Sequence, residues 1–256
     1  AEAAAMDPCQ RLLLERGYAA LHGGAWDRRA LSDSLTGVFV GCSGSEFGQL
    51  LAASPAGSSV YAATGSSSSI ASGRLSYVLG LHGPCASYDT ACSAALVACH
   101  AGRRALQGGE CVVGVVAGVT LMLAPGIGAS FAVAGMTSAR GRSHTFDARA
   151  DGYARGEACG RVALRQGVND RAVVAVLGSA LRQDGRSASL TAPNGRAQQG
   201  LLAAALWDAR TRAADLALHE AHGTGTALGD PIEAGSLAAV LAAHEAPLAV
   251  GGVKAN

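Results

Sequence analysis

Three short runs of apolar, mostly β-branched residues constrain the fold of this chain more than any other feature. They are residues 36–42 (TGVFVGC), 111–119 (CVVGVVAGV) and 171–179 (RAVVAVLGS). In each run the apolar residues are consecutive and do not alternate with polar ones. A strand that is covered by protein on both faces has this pattern. The runs therefore predict strands of a largely buried sheet.

Helical segments alternate with these runs. Four segments are predicted as helices: residues 11–21, 70–77, 93–106 and 203–214. The segment over 70–77 follows a run of four serines, which can cap a helix N-terminus. Asp7 and Pro8 precede the first of these segments, as an N-cap residue and a first-turn proline would. Short buried strands alternating with helices predict the α/β class.

The composition favours a folded domain and gives no sign of a nucleic-acid-binding or membrane protein. Of the 256 residues, 49% are hydrophobic and only 15% are charged, which is enough apolar material for a sizeable core. The formal net charge of +1 gives no indication of a nucleic acid or a membrane surface as partner. No uninterrupted apolar run of about 18 residues predicts a transmembrane helix.

The seven cysteines favour a reducing, intracellular compartment, with the cytoplasm as the expected location. Their number is odd, and no C-x-x-C pair occurs. Organelle targeting cannot be judged, because a chain that begins Ala1-Glu2 is interpreted as a segment of a longer protein.

Cys92 is the strongest candidate nucleophile. It lies between a predicted strand over residues 86–91 (ASYDTA) and the predicted helix over 93–106. A helix N-terminus carries free N–H groups and a partial positive charge, which stabilise a thiolate. The cysteine's own N–H can face the oxyanion of a tetrahedral intermediate. The other six cysteines are expected to be buried and inert.

His222 lies in a second unusual segment, EAHGTGT over residues 220–226, which is followed by GDPIEA over 229–234. Glycines on both sides of Thr224 allow a sharp turn and a close approach to a ligand. Pro231 is expected to begin a helix that Asp230 caps. His219 lies three residues before His222, but the H-E-A-H order is not the zinc-binding H-E-x-x-H, so no metal is predicted.

The two segments, taken together, resemble the β-ketoacyl synthases, and most of all the ketosynthase domains of modular polyketide synthases. The matching motifs are AMDPCQRLLLE, IASGRLSYVLGLHGP, DTACSAA, FDARADGYARGEACG, LTAPNGRAQQ, EAHGTGT, GDPIEA and GVKAN. They cover essentially the whole chain in the family's order. Two motifs depart from the family by small substitutions, at Ser93-Ala94-Ala95 and at Lys254-Ala255-Asn256.

The resemblance implies a thiolase-like fold of two similar α/β halves in a five-layer αβαβα stack, usually assembled as a homodimer. Residues 1–165 would form the first half, without its first strand, and carry the nucleophile. Residues 166–256 would begin the second half and carry the histidine and lysine motifs. The family pattern continues past Asn256 to a second active-site histidine, so the chain by itself is expected to be inactive.

The resemblance also implies a decarboxylative Claisen condensation. Cys92 would hold the acyl group as a thioester, and His222 would stabilise the enolate formed from a malonyl-type extender on an acyl carrier protein. Thr224 and Thr226 would contact the phosphopantetheine arm that carries the substrates. No metal or organic cofactor of the protein's own is expected. Lys254 would be an electrostatic residue of the same site.

Lys254 is also conspicuous without the resemblance. It is the one lysine among the 20 lysine and arginine residues. A chain that otherwise uses arginine throughout and retains one lysine indicates that a compact ammonium group is required there.

Three alternatives stay open on the sequence alone. The first is a fatty-acid elongating ketoacyl synthase. The second is a non-condensing partner subunit, although such partners typically lack the nucleophile that Cys92 supplies. The third is a Cys–His hydrolase, since Cys92 and His222 could form such a pair.

Overall fold

The structure is a computed structural model, and it describes residues 1–44, 46–167, 172–242 and 247–255. The chain divides into two compact units. The first unit contains Ala1–Pro125 and Gly156–Val173, and the second contains Gly126–Arg155 and Val174–Asn256.

The first unit is built on a four-stranded sheet with strand order β2-β1-β3-β4. The strands are β1 (Thr36–Gly41), β2 (Cys85–Tyr88), β3 (Val113–Thr120) and β4 (Ala158–Arg165). β1 is parallel to both β2 and β3, whereas β4 is antiparallel to β3. The strands predicted over residues 36–42 and 111–119 are therefore confirmed.

The described helices are mostly short. They are α1 (Glu2–Ala5), α2 (Pro8–Gly23), α3 (Arg28–Leu31), α4 (Phe47–Ala52), α5 (Ala62–Gly65), α6 (Ser68–Leu79), α7 (Ala94–Gln107), α8 (Pro125–Val133), α9 (Gly195–Ala209) and α10 (Gly229–Val240). The Asp7 carboxylate accepts a hydrogen bond from the Cys9 N–H, so the predicted cap of α2 is confirmed. Among the described helices, none is both long and apolar enough to cross a membrane.

The two central strands β1 and β3 are covered on both faces, which explains their continuous apolar runs. Val38 and Val115 are register partners on one face, where they pack with leucines of α2 and α6. Phe39 and Val116 are partners on the other face, where they pack against α7. Since successive strand residues point to opposite faces, a sheet covered on both sides needs apolar residues at every position.

The second unit contains a short parallel pair, β5 (Leu218–Glu220) and β6 (Ala249–Gly251). Glu220 is the register partner of Gly251. Two parallel strands end at the same edge, so the segments that follow β5 and β6 leave the pair on the same side.

The prediction of a strand over residues 171–179 is wrong for 172–179; Arg171 lies outside the described residues. No described strand pairs with this segment, and Val173 is fully exposed. The segment contacts the end of α9, where the Ser179 N–H donates to the Asp208 carboxylate at 2.9 Å. A β-branched run forms a strand only where a neighbour completes its hydrogen bonds.

The helix predicted over residues 203–214 also has different bounds. α9 begins at Gly195, because the Asn194 side-chain oxygen accepts hydrogen bonds from the next N–H groups, those of Arg196 and Ala197. It ends at Ala209, and the next residue, Arg210, has a left-handed φ of 52°. The cap at Asn194, well upstream of the predicted start, decides where this helix begins.

Candidate active site

Cys92 lies at the junction predicted from the sequence. β2 ends at Tyr88, a 3₁₀ turn spans Ala91–Ser93, and α7 follows from Ala94. Ala91 has a φ of 53° although it carries a side chain, a conformation that costs about 1–2 kcal/mol. The strained turn directly precedes the sulfur-bearing residue, and the Cys92 side chain is exposed.

Local hydrogen bonds hold this turn. The Ala91 N–H donates to the Asp89 carboxylate at 3.2 Å. The Ser93 hydroxyl lies 2.9 Å from the Thr90 carbonyl oxygen and 2.8 Å from the Thr90 hydroxyl. The two contacts between Ser93 and Thr90 span the strained residue and offset part of its conformational cost.

Two paired glycines allow α7 to approach the sheet closely. Gly41 and Gly118 are register partners at the ends of β1 and β3. A Cβ atom at Gly41 would lie 2.4 Å from the Ala95 nitrogen, and one at Gly118 would lie 2.8 Å from the Ala95 Cβ. The first turn of α7 therefore packs directly against the backbone of Gly41 and Gly118. This contact places Cys92 at the carboxyl ends of the parallel strands.

Five of the other cysteines have raised pKa values. Burial, followed by the Asp7 carboxylate, raises the pKa of Cys9 to about 12. Burial is also the largest cause of the raised pKa of Cys42, Cys99, Cys111 and Cys159. These thiols are held in the protonated form, which is a poor nucleophile. The sixth, Cys85, is exposed, contrary to the expectation of burial.

His222 lies two residues after the end of β5, and a carboxylate on α10 holds its backbone. The N–H groups of His222 and Gly223 donate to the two oxygens of Glu233, at 2.6 and 2.8 Å. Gly223 has a φ of 49° and Gly225 a φ of 76°, so both use the left-handed conformation that glycine permits. The sharp turn expected in this segment is therefore present.

Asp230 has a different role from the one predicted. α10 begins at Gly229, so Asp230 lies in its first turn and does not precede the helix. Its buried carboxylate accepts hydrogen bonds from the N–H groups of Gly225, Thr226 and Phe146, at 3.1, 3.3 and 2.7 Å. The helix N-terminus favours a negative charge, and the left-handed glycine turn directs N–H groups toward it.

Lys254 lies beside His222. It belongs to the 3₁₀ turn Val253–Ala255 that follows β6, and its Nζ donates to the His222 carbonyl oxygen at 2.5 Å. The Glu220 carboxylate anchors the same turn by accepting from the Val253 N–H at 2.7 Å. Because β5 and β6 are adjacent and parallel, His222 and Lys254, which follow them, lie next to each other at the same edge of the pair. Asn256, the last residue of the lysine motif, lies outside the described residues.

The surroundings of His222 favour its neutral imidazole. Partial burial is the largest cause that lowers its pKa, and the Lys254 ammonium lowers it further. The carboxylates of Glu233 and Asp230 act in the opposite direction without reversing the shift. A neutral imidazole keeps one N–H that can donate a hydrogen bond to an oxygen that develops negative charge.

Thr224 and Thr226 lie on the same loop, with their hydroxyl oxygens 3.3 Å apart. The Thr226 hydroxyl also accepts the Gly229 N–H at 3.1 Å. The second unit therefore brings together four of the predicted site residues, His222, Lys254, Thr224 and Thr226, whereas Cys92 belongs to the first unit. Among the described residues, no cluster of three His, Cys, Asp or Glu side chains could hold a metal ion.

The fold and these residues define an α/β protein with an exposed cysteine at a strand-to-helix turn and a histidine–lysine pair beyond two parallel strands. Comparison with known families agrees with this description. Residues 1–168 match the model of the β-ketoacyl synthase N-terminal domain, and residues 171–256 match that of the C-terminal domain. The chain belongs to the β-ketoacyl synthase family.

Curated relatives align with the entire chain. Polyketide synthase GfsB of Streptomyces halstedii is 45% identical over 263 residues, and erythronolide synthase EryA2 of Saccharopolyspora erythraea is 44% identical over 261. The matched region is 5% of the first relative and 7% of the second, so the chain spans a small part of their length.

Solved structures of ketosynthases share the fold. The ketosynthase from module 6 of the bacillaene synthase of Bacillus subtilis 168 superposes with a TM-score of 0.89 at 33% identity, covering 100% of this chain and 45% of that one. The oxazolomycin ketosynthase domain OzmH KS7 of Streptomyces albus JA3453 gives the same score and identity over 99% of this chain and 45% of that one. The α/β class, the thiolase-like fold and the resemblance to polyketide ketosynthases are thereby confirmed.

Proposed function

We propose that this chain carries the condensing chemistry of a polyketide synthase, a decarboxylative Claisen condensation. The observation that carries the proposal is that Cys92 is exposed and directly follows the strained residue Ala91, just before α7. The family match along the chain and the polyketide synthase relatives support it. In this proposal residues 1–165 are the half that bears the nucleophile, and residues 166–256 belong to the half that bears the histidine and the lysine.

The first step is acyl transfer to Cys92. The thiolate attacks the carbonyl carbon of an acyl group on a phosphopantetheine thiol, and a carbon–sulfur bond forms. The tetrahedral intermediate collapses with cleavage of the bond to the carrier sulfur, which leaves as a thiol after taking up a proton. N–H groups at the start of α7 are suited to stabilise the intermediate's oxyanion.

The second step uses a malonyl-type extender on an acyl carrier protein. The carbon–carboxylate bond breaks, carbon dioxide leaves, and the electron pair forms an enolate. Neutral His222 donates its N–H to the developing oxyanion. The enolate carbon then attacks the Cys92 thioester, and the cysteine sulfur leaves as a thiolate. Thr224 and Thr226 are proposed to contact the pantetheine arm.

Lys254 contributes charge and position to this step. Its ammonium lowers the pKa of His222, second to burial, and so helps to keep the imidazole neutral. Its hydrogen bond to the His222 carbonyl restrains the backbone that carries the ring. No cofactor of the protein's own enters the scheme, because the thioester already activates the carbonyl. An acyl carrier protein as partner, a homodimeric state and a reducing intracellular setting complete the proposal.

Acyl loading tests the proposal. The full-length native protein that contains these residues is incubated with an acyl N-acetylcysteamine thioester, and the adduct is mapped by peptide mass spectrometry. We expect it on Cys92, its loss in Cys92→Ala, and normal loading in Cys85→Ala, the matched control at another exposed cysteine. A malonyl-loaded carrier protein should then yield a β-ketoacyl product.

Other results would contradict the proposal. An adduct on another cysteine, with Cys92 unmodified, would refute the assignment of the nucleophile. Release of free acid at full rate without any extender would indicate a Cys–His hydrolase instead. Condensation restricted to saturated chains that are elongated for fatty acids would leave the chemistry in place but refute the polyketide role.

A further inference from the structure

Thr145 contacts the loop that carries His222. Its hydroxyl donates a hydrogen bond to the Gly223 carbonyl oxygen at 2.5 Å. Gly223 immediately follows His222, and its own N–H is held by Glu233 from α10. The two polar groups of Gly223 are therefore fixed by different side chains, which leaves this residue little freedom to rotate.

The Thr145 methyl group lies against both the histidine loop and the lysine turn. A Cβ atom at Gly223 would be 2.5 Å from the Thr145 Cγ2, and one at Gly252 would be 2.9 Å from the same carbon. Gly252 lies just before the turn that carries Lys254. One methyl group thus fills the space where the two backbones meet, and both backbones are glycine at the contact.

The segment around Thr145 is itself anchored on both sides. The Ser143 hydroxyl accepts from the Ala154 N–H at 3.0 Å, and the Phe146 N–H donates to the buried Asp230 carboxylate at 2.7 Å. Thr145 is therefore presented from a held backbone, as a positioning side chain must be.

We propose that Thr145 is a positioning residue for the condensation step, which sets the imidazole of His222 relative to the ammonium of Lys254. The inference rests on the proposed function, because it assigns Thr145 to the same site. The hydroxyl fixes the peptide after His222, and with it the position of the ring relative to Lys254, while the methyl group fills the space between the two segments. An oxyanion donor displaced by about 1 Å can lose a large part of its effect.

The test compares two substitutions in the full-length native protein. Thr145→Val keeps the shape and removes the hydrogen bond, whereas Thr145→Ser keeps the hydroxyl. Thr211→Val is the matched control, since the Thr211 hydroxyl also donates to a backbone carbonyl, that of Ala209 at 3.2 Å. We expect Thr145→Val to lower the kcat of condensation roughly tenfold, the scale of one lost hydrogen bond. Thr145→Ser should stay within about threefold, and Cys92 loading should be unchanged in both.

A second readout does not depend on activity. The ring signals of His222 are titrated by NMR in the wild type and in each variant. If the Thr145 hydroxyl sets the distance from His222 to Lys254, the pKa of His222 rises in Thr145→Val, because the freed Gly223 peptide lets the imidazole move away from the ammonium. A merely structural role would lower the melting temperature without moving this titration. If Thr145→Val does not fold, Thr145→Ala takes its place with the same expectation.

The outcomes separate the two proposals. A titration that shifts in Thr145→Val, in a protein whose wild type does not condense, would refute the proposed function but retain Thr145 as the residue that sets His222 relative to Lys254. A titration and a kcat that both stay at wild-type values would refute the positioning role. Equal losses in Thr145→Val and Thr211→Val would refute it as well.

Discussion

The Asp230 carboxylate organises the histidine loop, and Asp230→Asn is the substitution that tests this. The carboxylate is buried, with 4% of the residue exposed, and it accepts three backbone N–H groups. An asparagine side chain of the same shape keeps one acceptor oxygen and places an NH₂ group against at least one of these donors. The substitution therefore removes one or two charge-assisted hydrogen bonds and leaves a buried N–H without an acceptor.

The loss can be estimated from the bonds involved. A hydrogen bond to a charged group contributes about 1.5–3 kcal/mol, and a buried donor left unpaired costs a similar amount. We therefore expect the free energy of opening this loop to fall by about 2–4 kcal/mol, which corresponds to roughly a 30- to 1000-fold faster amide exchange. Hydrogen exchange followed by mass spectrometry on peptides that contain Gly225, Thr226 and Phe146 measures this directly.

Asp215→Asn is the control for this experiment. The Asp215 carboxylate pairs with Arg212 at the surface, at 2.7 Å, and its side chain is 45% exposed. Solvent screens such pairs, so little change in exchange is expected. Exchange in Asp230→Asn at the wild-type rate would refute the view that this carboxylate holds the loop. Faster exchange throughout both units would indicate global destabilisation and would refute a local role.

Three further predictions concern the two site segments. His222→Ala should still load Cys92 but condense about 10²–10³-fold more slowly, since it removes one oxyanion donor; a variant that fails to load yet decarboxylates the extender normally would reverse the assignment. Lys254→Met should raise the pKa of His222 in an NMR titration. The pKa of His222 is lowered in the folded chain, so just below the ordinary value of 6.5 the unfolded chain binds more protons than the folded one. The free energy of unfolding should therefore fall as the pH drops through 6.5. This fall should be smaller in Lys254→Met, in which the pKa of His222 is lowered less. Gly41→Ala should destabilise the first unit by about 1–3 kcal/mol and slow loading, because its Cβ would overlap the first turn of α7. Gly73→Ala, where a Cβ meets nothing within 4 Å, should instead be neutral or slightly stabilising in the same melting assay.

The parts of the fold that can be predicted from the sequence are those that depend on residues close together in the sequence. β1 and β3 are covered on both faces, so their apolar runs are continuous and recognisable. The cap at Asp7 and the junction at Cys92 depend on neighbours within a few residues. The run over residues 172–179 has the same composition, yet it forms no strand, because pairing depends on a partner that the run itself does not specify.

The supporting residues of the site are harder to predict for the same reason. Asp230 and Glu233 occur in GDPIEA, which is recognisable as a motif, but a motif does not say which N–H groups a carboxylate reaches. Asp230 accepts from a loop and from Phe146, which is 84 positions away in the sequence. Thr145 gives no signal beyond its place directly before the FDARADG segment. Its contacts with Gly223 and Gly252 exist only once the loops are folded together.

Cys92 and the histidine–lysine pair share one structural arrangement. Cys92 follows β2, while His222 and Lys254 follow β5 and β6, and in each case the strands are parallel to their neighbours. Side chains that follow parallel strands reach the same edge of a sheet, where backbone N–H groups and helix N-termini are also found. A Cβ atom at Gly41 would overlap the backbone of the helix that follows Cys92, and one at Gly252, next to the lysine turn, would overlap the Thr145 side chain. A side chain added at Gly41 should therefore displace Cys92, and one added at Gly252 should displace Lys254.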